Sequence, residues 1–206
     1  MRILAGALVV ANAVSFAAEA GDKPNELVIG PLFGFHTVEA QPIVAPTTRI
    51  YPAAFAGTRV FTKRGIESYR KYKAAFEFAL PNLDPNSIAS AHLKITESGR
   101  GGSCAARAGF VLSSYDGDGK KEADDVEGGS TVIEVSIPPG AGQIFPDPVD
   151  VTDLVKRQVK GTLFSQPSGY IGFNIHPTDN EFCIRYISWA NLIIETVPHP
   201  YTGIRG

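Results

Sequence analysis

Charge is scarce in this chain. Asp, Glu, Lys and Arg make up 19% of 206 residues, with 21 acidic side chains against 19 basic ones. A balance this close leaves no electrostatic footprint for nucleic acid or for an anionic membrane surface, which excludes those partners. Beyond residue 20 no uncharged apolar run approaches the roughly 20 residues of a membrane helix, so insertion is not expected. There is no G-x-S-x-G and no H-E-x-x-H. The histidines His36, His92, His176 and His199 form no pair at metal-binding spacing. What remains for catalysis is a carboxylate pair of the kind used by a glycan-acting hydrolase or lyase, and whether the chain is an enzyme stays open.

The first twenty residues hold one positive charge, Arg2, then an apolar stretch from Ile3 to Ala18, then Ala18-Glu19-Ala20. Small side chains at both of the positions that a signal peptidase reads predict a removed signal peptide over residues 1–20 and a secreted or periplasmic protein. The tail from His199 to Gly206 is short and polar, so a membrane-retention tail is not expected. About 186 residues are left, enough for one well-cored domain. Residues 21–51 read as an extended arm with possible edge strands, and residues 52–206 as the domain proper.

Twenty-one glycines and 15 prolines punctuate short apolar runs: 27–29, 33–38, 58–61, 74–80, 91–95, 108–113, 131–137, 170–175 and 184–195. Ala75-Phe76-Glu77-Phe78-Ala79-Leu80 and Thr131 to Ile137 alternate apolar and polar residues, as strands with one buried and one solvated face do. Glu77 and Glu134 are thereby expected on the solvated face. Asp150 to Gly161 is the helical segment, with Val151, Leu154, Val155 and Val159 on one side, Asp150 or Thr152 to cap it, and basic residues toward its C-terminal end. The fold class is all-β: a single jelly-roll-like antiparallel β-sandwich with one short crossover helix.

Cys104 and Cys183 are expected to pair in an exported protein. Two buried thiols or a metal site are the competing readings. The loop from Tyr115 to Asp125 concentrates oxygen ligands. Asp116, Asp118, Asp124 and Asp125 could hold a structural calcium, or the D-G-D-G run is a plain acidic hairpin turn. For sugar recognition the need is exposed rings with polar groups beside them. Tyr115, Tyr170, Tyr186 and Trp189 are the candidate rings, and Asn174, Arg185 and Asn191 the polar neighbours. A tryptophan in the last strand of a sandwich is more often core, as is Phe173 in its apolar run.

In order along the chain stand Tyr72-Lys73-Ala74-Ala75-Phe76-Glu77-Phe78-Ala79-Leu80, Ser87-Ile88-Ala89-Ser90-Ala91-His92-Leu93-Lys94-Ile95, Pro148-Val149-Asp150-Val151-Thr152 and Tyr170-Ile171-Gly172-Phe173-Asn174-Ile175. The series resembles the secreted bacterial jelly-roll modules grouped around the DNRLRE domain and the carbohydrate-binding-like β-sandwiches near it. It spans about residues 55 to 197. The resemblance implies binding or scaffolding: a noncatalytic module for glycan or cell-surface polymer. The rival expectation is a structural or adhesive surface protein that self-associates through its 21–51 arm by sheet-edge pairing.

Overall fold

Phe76 and Phe78 alternate with Ala75 and Glu77, and Ile171, Phe173 and Ile175 with Gly172 and Asn174. Only strands with two unlike faces satisfy such a pattern. The computed structural model describes residues 25–41, 50–51, 53–101, 104, 106–140, 142–160 and 168–197. The predicted signal peptide, parts of the arm and the tail after Val197 lie outside the described residues.

The described chain forms β1 (Asn25–Ile29), β2 (Phe33–Gln41), β3 (Ala54–Lys63), β4 (Ile66–Ala79), β5 (Ile88–Gly101), β6 (Ala108–Asp116), β7 (Ser130–Ile137), β8 (Val149–Asp150), α1 (Thr152–Lys160), β9 (Tyr170–Pro177) and β10 (Cys183–Thr196). Eight of the nine apolar runs lie within one of these strands, the run 74–80 passes the end of β4 by one residue, and most of the strands extend beyond their run. Two-residue β8 is the strand that the pattern does not announce.

All strand pairings are antiparallel, and they make two layers. One runs β2-β4-β9-β6-β7. In the other, β10 pairs with β5 along one edge and with β1 on the opposite edge, and β8 adds to β5. Strand β3 joins them: its first residues pair with β10 and its remainder with β4. Between the layers Phe76, Phe78, Phe110, Leu112, Phe173 and Ile175 share a core with Leu93, Leu192 and Ile194. The Phe78 and Phe173 rings meet edge to face at 6.0 Å, a favourable aromatic geometry. The architecture is an antiparallel β-sandwich with one short helix.

Helix α1 opens with Asp150 Oδ1 accepting from the Thr152 backbone N–H (2.9 Å) and hydroxyl (2.6 Å). Asp150 is thus the capping acceptor. The Thr152 oxygen also accepts from Ala91 N–H in β5, which ties the helix start to the sheet. Val155 is fully buried, with Leu154 and Val159 packed on the core.

Cys104 and Cys183 form a disulfide across a separation of 79 residues. By loop-closure entropy it stabilises the fold by about 4 kcal/mol. Among the described residues no helix is long and apolar enough to cross a membrane.

Candidate functional site

Strand β10 changes parity part-way along. Cys183, Arg185 and Ile187 are buried, then Ser188 and Trp189 are both exposed, then Ala190, Leu192 and Ile194 are buried. The cause is a β-bulge: pairing with β5 shifts register between Ile187 and Trp189, and Ser188 Oγ donates to Thr96 O across the irregularity. An extra residue in one strand re-aims the next side chain. Trp189, a candidate sugar-stacking ring at a position more often core, is accordingly turned outward, with 55% of its surface exposed. Its Nε1–H donates to Asn191 Oδ1 at 2.6 Å, which orients the indole.

The bulge forms one wall of a groove of about 470 Å³, inside the range of small-molecule sites, roughly 300–1,000 Å³. Tyr186 and Trp189 line it from β10, Phe55 from β3, Phe76 from β4, Gly34 from β2, and Pro31 from the turn before β2. None of its lining residues is charged. A ring cluster continues from it: Phe55 packs edge-on against Tyr186 (4.7 Å) and beside His36 (4.5 Å), and His36 stacks on Tyr51 at 4.8 Å. His36 Nδ1 is hydrogen-bonded to Ala53 O, and burial holds this imidazole below its usual pKa. It is therefore neutral near pH 7.

The other two candidate tyrosines lie elsewhere. Tyr115 and Tyr170 stand on the outer face of the β4-β9-β6 layer, under the connection from β6 to β7. Register places Tyr115, Gly172 and Glu77 side by side on three neighbouring strands, with Asn174 next along β9 on the same face. The Tyr115 ring lies across Gly172, where a Cβ would run into it, so glycine is required there. Residues 117–129 fold back over this row. Gly117 sits directly on Glu77, where a Cβ would approach the carboxyl carbon to 2.6 Å, and Gly119 N–H donates to Glu77 Oε1 at 2.5 Å. Asn174 Nδ2 donates to Asp125 O and Gly128 O, pinning the far side of the connection. Phe35, Ala75 and Val126 make a small second core beneath it.

Glu77 therefore does not lie on a solvated face as its alternation suggests; it is fully buried, because the β6–β7 connection roofs that face. Glu134 is exposed as expected. Burial raises the Glu77 carboxyl pKa, against the pull of the Gly119 N–H, and raises that of Asp125 as well. Tyr115 is pushed up by burial and by the nearby negative charges of Asp125 and Glu77.

The four aspartates of the predicted calcium loop do not share one centre. Asp118 pairs with Lys120 at 3.0 Å, Asp125 Oδ2 accepts from Glu122 N–H, and Asp116 and Asp124 are exposed. Among the described residues no three His, Cys, Asp or Glu side chains are grouped to hold a metal ion. The expected polar neighbours Asn174 and Arg185 are both fully buried; Arg185 Nη1 lies 3.6 Å from Glu97 Oε2. Asn191 is the one tied to a groove residue, through its hydrogen bond from Trp189.

A second concavity, of about 430 Å³, holds Ser90, His92 and Asp150. Ser90 Oγ donates to Glu195 Oε2 and Asp150 is engaged by Thr152, so the three are not arranged as nucleophile, base and orienting acid. No protein-family model matches the chain, and no curated protein matches it significantly.

Proposed function

We propose that this protein is an exported, noncatalytic module that binds a neutral glycan in the groove beside Trp189. The observation that carries the reading is the indole itself, turned out of the sandwich by a bulge and held by Asn191 next to Tyr186 and Phe55. Exposing a tryptophan forgoes the 1.5–3 kcal/mol that burying a large apolar side chain typically returns. Sugar faces carry C–H groups that stack on such rings, while hydroxyls such as those of Ser188 and Tyr186 satisfy polar edges. A lining without charged side chains favours an uncharged polymer over an acidic one, and offers no carboxylate for glycoside hydrolysis. The disulfide and the N-terminal sequence support an oxidising, extracytoplasmic setting.

Trp189 is the chain's sole tryptophan, so its emission reports on this groove alone. Titrating neutral soluble polysaccharides into the protein is expected to shift that emission to the blue and raise the melting temperature together. A panel that leaves both unchanged would sink the reading.

A structural role has one observation in its favour. Strand β7 pairs with β6 along one edge, and no pairing of its other edge occurs among the described residues; unpaired edges invite strand addition. Most of the described part of the 21–51 arm is already paired within the chain, through β1 and β2. Sedimentation that depends on protein concentration would favour this second reading.

A further inference from the structure

Three buried oxygens around Gly172 have no hydrogen-bond partner: Glu77 Oε2, Tyr115 Oη and Asn174 Oδ1. They come from adjacent positions on β4, β6 and β9, on one face, under one roof. Glu77 and Asn174 are fully buried. A buried carboxylate is costly unless something positive compensates it. Among the described residues no Lys, Arg or His is paired with Glu77. Asp118 and Asp125 add negative charge close enough to disfavour Glu77 ionisation further. A hard cation takes oxygen ligands only, mixing carboxylate, amide and backbone oxygens on a chain that turns tightly, and the D-G-D-G connection supplies such a chain.

We propose that this roofed pocket binds calcium, with Glu77 Oε2 as the anionic ligand and Asn174 Oδ1 as a neutral one, beneath residues 117–129. The site differs from one built on the loop's own aspartates: the sheet supplies the central ligands and the loop closes over them. With one central carboxylate it belongs with the weak extracellular sites, whose Kd lies at about 10⁻⁴–10⁻³ M. It does not depend on what the Trp189 groove binds.

Terbium luminescence on the intact protein tests this, because a lanthanide at Glu77 lies beside Tyr115, whose ring can sensitise it. The expected result is tyrosine-excited terbium emission that calcium displaces, with a melting temperature a few degrees higher in about 10 mM calcium than in chelator. Glu77→Gln, which keeps an acceptor for Gly119 N–H, is expected to lose both responses. Asp116→Asn with Asp124→Asn, two exposed positions, is expected to keep them. Wild-type protein without either response overturns the proposal, whatever the variants do. Loss in the Asp116/Asp124 variant, or retention in Glu77→Gln, overturns it as well, by placing the cation on exposed aspartates.

Discussion

Two outward faces of the same sandwich meet opposite fates. On the β4-β9-β6 layer the thirteen-residue connection 117–129 folds back over Glu77, Tyr115 and Asn174, so polar side chains that strand alternation sends outward become interior. On β10 a single bulged residue sends an aromatic ring outward that a regular strand would have kept inside. Alternation decides which side of a sheet a residue faces. Whether that side is solvent depends on connections and irregularities that come from elsewhere in the chain.

Removing one ring from each region is the sharpest way to separate them. Tyr115→Ala empties the space over Gly172 and under the roof. Truncating a fully buried aromatic costs about 3–5 kcal/mol, and the lower end is expected here because Tyr115 is only partly buried and its hydroxyl has no bonding partner to lose. Chemical denaturation should show the midpoint falling with little change in slope. A loss under about 1 kcal/mol would mean that the connection does not pack on the sheet as described.

Smaller effects are expected from pH, and the two regions carry opposite signs. Burial raises the Glu77 pKa in the folded state. The unfolded chain therefore releases this proton first, and Glu77's contribution is full below the ordinary carboxylate pKa and lost as pH rises through it toward the folded value. His36 beside the groove is held low, chiefly by burial. Its contribution is full above about 6.5 and is lost as pH falls toward the folded value, since the unfolded chain takes up the proton first. In chelator, the stability of Glu77→Gln relative to wild type should grow from about pH 4 to 7, while His36→Gln should flatten the wild-type gain between about pH 5 and 7. Differences independent of pH would refute both assignments.

Much of the sandwich was legible because its signals are local. Phe76 and Phe78 against Glu77 declare a strand, Asp150 with Thr152 declares a helix start, and two cysteines behind a predicted signal peptide declare a bridge. The fates of Glu77 and Trp189 were not legible, since each turns on a partner distant in sequence. One clue was present for the roof: Gly172, in the middle of an apolar strand, marks a close approach, and its neighbour across the ladder is Tyr115. For the groove there was none. Tyr186 to Ala190 reads as an ordinary run, and the bulge follows from how β10 must satisfy β3 and β5 at once. Of the four candidate rings, two belong to each region, and their spacing in sequence does not separate them.

Trp189→Ala should be the quietest change to the fold. The indole is more than half exposed and its N–H bonds to Asn191, its own near neighbour, so stability should move by no more than about 0.5 kcal/mol. A midpoint shift that small, together with loss of any polysaccharide-induced rise in melting temperature, would mark the ring as kept for a ligand. A loss of 2 kcal/mol or more, on the order of a core truncation, would instead make the indole a packing element of the bulge. The contrast with Tyr115 would then collapse: both rings would be holding irregular backbone in place, and the groove would lose its strongest claim to be a binding site.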